Sequence, residues 1–153
     1  MALGTYYIVL DFDGTVVKHA YPAVGEDIGA VPILKRLVAN GCKLLLCTMR
    51  SQNSEGEDTL QPALDWFAER DLPLFGINEN PTQKVWTSSP KVYGHIYIDD
   101  AALGAPLTID DNGSAYIDWS QAAAHLYYMG LLTDVDLIAL VDEGAVNLEL
   151  KQK

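Results

Sequence analysis

Short apolar runs alternate with longer amphipathic ones along this chain. "YYIVL", Tyr6 to Leu10, is built from aromatic and β-branched residues and predicts a strand. "AVPILKRLVANG" then carries apolar residues at helical spacing, with Pro32 near its start and Gly41 as its stop. "KLLLCT", Lys43 to Thr48, is continuously apolar, as strands covered on both faces are. In "DTLQPALDWFAER", Asp58 to Arg70, the residues Leu60, Leu64 and Phe67 share one helical face, and Pro62 is tolerable only in the first turn. "LPLFGI" and "GHIYI" read as two further strands, separated by the Pro-, Ser- and Asn-rich loop "NENPTQKVWTSSP". A strand near "PLTI", a helix from Trp119 to Met129 and an apolar segment around Val135 to Val141 complete the pattern.

Strands that alternate with helices imply an α/β fold with a parallel sheet and right-handed crossovers. At 153 residues and 49% hydrophobic content, one well-buried domain spanning 1–153 is expected, with no internal repeat or linker. Cys42 and Cys47 lie an odd number of residues apart on or beside one predicted strand. They therefore face opposite ways and are expected to remain reduced. No apolar run approaches the length of a membrane span, and "MALGTYYIVL" lacks the basic start and cleavage site of a secretion signal, so a cytoplasmic protein is expected. The net charge of −11 argues against nucleic acid or anionic lipid as partner, though not against a small anionic substrate.

The polar residues collect where the apolar runs stop. Asp11 and Asp13 follow the first strand, Thr48 and Arg50 follow the second in "CTMR", and Asp99 and Asp100 end a later one in "HIYIDD". In an open parallel sheet, ligands bind beyond the carboxyl ends of the strands, so these residues are expected to converge. Four carboxylates cannot share a partly desolvated cleft unless positive charge enters it. A divalent cation, Lys91, Arg50 and a proton on Asp13 would supply it.

"DFDGT", the strand-ending Thr48, Lys91 and the "IDD" pair stand in the order of the four motifs of the haloacid dehalogenase-like phosphohydrolase superfamily, which this chain resembles over about residues 6–104. "HAYPAVG", His19 to Gly25, is similar to a compact subgroup of that superfamily. The resemblance implies a Rossmann-like three-layer sandwich around a central, mostly parallel sheet, followed by a C-terminal helical segment over about 119–150. No stretch is long enough to fold as a cap domain. It further implies a Mg²⁺-dependent phosphomonoester hydrolase. Asp11 is the nucleophile that forms an aspartyl-phosphate, and Asp13 protonates the leaving oxygen and then activates water. Thr48 and Lys91 hold the phosphate. The cation takes oxygens from Asp11, the Asp13 main-chain carbonyl and the Asp99/Asp100 pair. Phe12, Gly14, Met49 and Arg50 flank these groups as substrate contacts, Gly14 also permitting a sharp turn. The second acid, Asp13, favours phosphate chemistry over carbon–halogen cleavage.

A small sugar phosphate or nucleotide is the expected substrate class. Two alternatives remain open: a non-catalytic phosphate-ligand or protein-binding module on the same fold, and a phosphatase of phosphoproteins or nucleic-acid ends. Lys84 competes with Lys91, which has the better spacing to "IDD". His19 reads as an exposed loop residue, His95 and His125 as packing or surface residues, and Asp110 and Asp111 before "NG" as a turn. The C-terminal apolar face either covers the sheet or supports a homo-oligomer.

Overall fold

The structure is a computed structural model describing residues 4–148. The first apolar run forms β1, Tyr7–Leu10, and the next two become α1, Ala30–Ala39, and β2, Lys43–Leu46. They are followed by α2, Leu60–Glu69, and β3, Leu74–Ile77, and after a long connection by β4, Ile96–Ile98. These four strands form one parallel sheet in the order β3-β2-β1-β4. β1 lies inside it, with Leu10 in register with Leu46 on one side and Ile98 on the other. The three acid-bearing or threonine-bearing strand ends are therefore brought level by the ladder itself.

Handedness decides which face each connection covers. The β1-to-β2 and β2-to-β3 crossovers step the same way across the sheet, so right-handed turns put α1 and α2 on one face. The return from β3 to β4 steps back and must cross the other face. The packing agrees. Alternation sends Ile8, Leu10, Leu44 and Leu46 into one large core, shared with residues of all the helices, and sends Val9 and Leu45 to a small cluster with Val92. The return crossover, residues 78–95, contains one turn of 3-10 helix at Gln83–Val85. Its prolines and serines do not support a helix. The structure is a parallel sheet with helices on one face and a loop across the other, where the expected sandwich would place helices on both.

Downstream, β5, Leu107–Ile109, and β6, Ala115–Ile117, make a separate antiparallel hairpin. Its turn is the predicted one: Asp110 accepts from the N–H groups of Asn112 and Ser114. β6 was not expected, because three residues after a turn carry too little periodicity to be read. The chain then enters α3, Trp119–Tyr128, whose first turn is capped by the Asp118 carboxylate. It ends in α4, Asp134–Asp142, opened by a Thr133/Asp136 capping box. α1 stops as predicted at Gly41, which takes φ +92° while the N–H groups of Gly41 and Cys42 bond back to Val38 and Leu37. Cys42 and Cys47 are free and pack against different faces of the sheet. No helix among the described residues is long and apolar enough to cross a membrane.

Candidate active site

Phe12 sets the geometry of the first motif. Its ring is fully buried beneath α2, edge-on to Trp66 with ring centroids 5.8 Å apart. Burying such a ring contributes roughly 1.5–3 kcal/mol. Because neighbours along an extended segment point oppositely, anchoring Phe12 inward turns Asp11 and Asp13 outward beyond the end of β1. Gly14 follows at φ +79°, a conformation that L side chains rarely adopt, and a Cβ there would overlap His19 and Asp100. The loop is held from behind: the Gly14 carbonyl accepts from the Ile117 N–H at 2.9 Å, and the Thr15 carbonyl accepts from the Trp119 indole at 2.8 Å. The C-terminal hairpin and helix thus serve the site by fixing its main chain.

Asp11, Asp99 and Asp100 each offer a carboxylate oxygen within 4.8 Å of the others. Asp99 and Asp100 follow β4, which the ladder places beside β1. The buried Thr15 hydroxyl lies 3.3 Å from Oδ2 of Asp11 and 3.5 Å from Oδ1 of Asp100, and accepts from the Asp100 N–H at 3.2 Å. His19 donates through Nε2 to the other Asp100 oxygen at 2.8 Å. Burial pushes the Asp11 carboxyl up from 3.8 to about 6; the charges of Asp99 and Asp100 add to the rise, and the Phe12 N–H and Thr15 hydroxyl oppose it. The oxygens suit a small hard cation.

Asp13 is held differently. Arg50, the largest fully buried side chain, donates to both of its carboxylate oxygens at 2.7 Å. The other guanidinium N–H groups go to the main-chain carbonyls of Pro22, Ala23 and Thr59. All five donors of the fork are used. The group is further enclosed between the Phe12 and Tyr21 rings, with centroids 5.0 and 5.3 Å away. The expected role of Arg50 as a substrate contact gives way to another: it orients Asp13 and ties the β1–α1 connection to the β2–α2 connection.

One cleft of about 590 Å³ is lined by Asp11, Asp13, Thr48, Met49, Arg50, Asp99 and Asp100, together with His19, Tyr21 and Ala101. Thr48 is fixed at its rim, its N–H donating to the Asn78 side chain at 2.8 Å while its hydroxyl accepts from the Arg50 N–H. Phe12 presents only main chain to the site, and the Gly14 N–H is already bonded to the Val17 carbonyl. Lys91 is not brought to the cleft. It is exposed, lines a separate cavity with Trp86 and Tyr97, and has its ammonium 5.8 Å from the Tyr97 ring centroid. Lys84 pairs with Glu79. His19 and Tyr21 line the cleft beside Ala101, although neither was expected in the site. Their signal was proximity to the first motif, which a loop of unknown path could not turn into a position.

No family model matches the chain, and no curated protein matches it. Among solved structures, the chain is similar to a conserved protein of Bacteroides thetaiotaomicron, at 27% identity and a TM-score of 0.64 over 88% of this chain and 98% of that one. The likeness extends over nearly the whole fold. What the protein is, at this level, is an α/β protein with an acid-lined cleft at the carboxyl ends of its parallel strands.

The raised Asp11 carboxyl gives a pH dependence with a definite sign. A group whose carboxyl sits higher in the folded than in the unfolded chain stabilises fully below about 3.8 and loses that contribution as pH rises to about 6. Metal-free protein is expected to lose about 1–3 kcal/mol of stability across that window, partial exposure keeping the loss toward the lower end. Mg²⁺ should raise the melting temperature at pH 8 and have little effect at pH 4. Melting curves across pH with Mg²⁺ and with chelator test this; a Mg²⁺ shift equally large at both pH values would contradict it.

Proposed function

We propose that the protein is a metal-dependent phosphomonoester hydrolase that works through an aspartyl-phosphate on Asp11. The observation that carries this reading is the convergence of Asp11, Asp99 and Asp100 around one possible cation position, in the cleft that also holds Asp13 and Thr48. The motif order of the haloacid dehalogenase-like superfamily supports it, and the fold is compatible with a Rossmann-like α/β sandwich of that kind. Asp11, Asp99 and Asp100 would hold Mg²⁺, which when bound neutralises charge on the carboxylates and the phosphoryl oxygens.

An Asp11 oxygen forms a bond to phosphorus as the ester P–O bond breaks, and Asp13 gives its proton to the departing alkoxide. In the second half, Asp13 takes a proton from water as that water's oxygen bonds to phosphorus and the bond between the Asp11 oxygen and phosphorus breaks. Phosphate leaves, and Asp11 and Asp13 end as they began. Arg50 keeps the Asp13 carboxyl oriented through both halves, and Thr48 at the rim holds a phosphoryl oxygen. Lys91 stays outside this scheme because it lines a different cavity. Cys47, near the acids, is no competing nucleophile, since burial and the charges of Asp11 and Asp99 push its thiol up.

The test is phosphate release from a panel of metabolite phosphates and aryl phosphates with Mg²⁺ and with chelator. Metal-dependent release from at least one ester is expected. Tight Mg²⁺ binding without release from any ester would instead favour a binding module.

A further inference from the structure

The proposed hydrolase reading leaves the leaving group open, and the rest of the cleft lining bears on it. Of the residues lining the cleft, only Arg50 and His19 are capable of positive charge. Every N–H of Arg50 is taken within the protein, and His19 already donates to Asp100. The cation implied for the three aspartates belongs to the phosphoryl group. The half-exposed His19 ring, already paired through Nε2 with Asp100, is all the wall retains to meet a second anionic group on the substrate. Such a group would mainly meet acids whose charge the metal and Arg50 only partly offset.

The wall also has an apolar side. Tyr21 is 62% exposed and Met49 96% exposed, and both line the cleft. The Tyr21 ring is not loose, because it lies over the buried Arg50 guanidinium at 5.3 Å, which in turn is fixed by Asp13. A flat face held in place by a buried cation gives up little conformational freedom when a ligand covers it. A volume of about 590 Å³ exceeds what a phosphoryl group fills, which leaves room for the leaving group beside Tyr21 and Met49.

The geometry points to a substrate whose leaving group is uncharged and has a flat apolar face, of the aromatic or nucleoside kind, lying against Tyr21. Bisphosphates and phosphate esters of carboxylic acids are disfavoured. This rests on the hydrolase reading for the position of the phosphoryl group, and its test is one of binding, so that the two fail separately.

Non-hydrolysable phosphonates serve as probes with Mg²⁺ present, their affinities measured by calorimetry. Benzylphosphonate is expected to bind about tenfold more tightly than cyclohexylmethylphosphonate or 4-carboxybenzylphosphonate. The penalty on the carboxylate should shrink as salt rises. Tyr21→Leu should abolish the preference for the flat ring, and Tyr21→Phe should keep it. Circular dichroism confirms that each variant is folded; this is expected for so exposed a residue. Equal binding of the three phosphonates, or a ring preference that survives Tyr21→Leu, would overturn the inference even if esters are hydrolysed. A clear phosphonate preference in a protein that hydrolyses no ester would leave it standing and count against the reaction.

Discussion

Replacing Asp11 with Asn is expected to lower turnover of any accepted phosphate ester by about 10⁴-fold or more while making the metal-free protein more stable above pH 6. The two effects have one origin. Asp11 is held in a partly buried position beside Asp99 and Asp100, so its ionised form costs free energy in the folded state, as the rise from 3.8 to about 6 records. An amide occupies the same space without that charge. It can still accept from the Phe12 N–H, but it is a poor nucleophile and cannot form the acyl phosphate that water later cleaves. Loss of 10⁴ in rate corresponds to about 5.5 kcal/mol of transition-state stabilisation, and the gain in stability is expected at about 1–2 kcal/mol. Melting curves with chelator at pH 8, beside phosphate release with Mg²⁺, check both. A variant that retains activity removes the nucleophile assignment. One that is destabilised without metal shows that Asp11 is held by its contacts, in spite of its charge.

How much of this could be read from the sequence depended on whether the signal was local. β1, β2, β3 and β4 were legible because each is an apolar run bounded by turn formers, and the strand-end positions of Asp11, Thr48 and Asp99 followed from them. Their convergence followed from parallel topology. Asp13 and Arg50 were each placed in the cleft, but their bond was not legible, because it joins the first strand end to the second through a guanidinium that also needs carbonyls from Pro22, Ala23 and Thr59. An arginine after a strand looks the same whether it is solvated or buried. Lys91 failed in the other direction. Its spacing to Asp99 was noted, yet spacing along a chain gives no position when the crossover carrying it is an irregular loop on the far face of the sheet. What covers the second face was not legible for the same reason: crossover handedness says which face is covered, and composition alone says with what.

Arg50→Lys is the second substitution expected to have a large effect, and it separates the charge of this residue from its shape. Lysine keeps the positive charge but presents one compact ammonium in place of a planar fork. It cannot serve both Asp13 oxygens at 2.7 Å and three main-chain carbonyls from two loops. Removing a buried ion-pair partner outright costs about 3–5 kcal/mol, and the buried Thr59 carbonyl left without a donor about 1–3 kcal/mol more, though such losses do not add fully. Lysine recovers part of this, so a net loss of about 2–4 kcal/mol is expected, or roughly 5–15 °C in melting temperature for a domain of this size. Activity should fall by about 10²-fold through kcat, because Asp13 loses its fixed orientation while the metal-binding trio is untouched. Mg²⁺ affinity is therefore the internal control and should change little. A double-mutant cycle with Asp13→Asn isolates the pair: the two substitutions together should cost clearly less than the sum of each alone. Additive losses would mean that Arg50 acts on the loops and not on Asp13. A stable and fully active Arg50→Lys variant would mean that the fork is dispensable, and the oriented Asp13 on which the proposed proton transfers depend would lose its support.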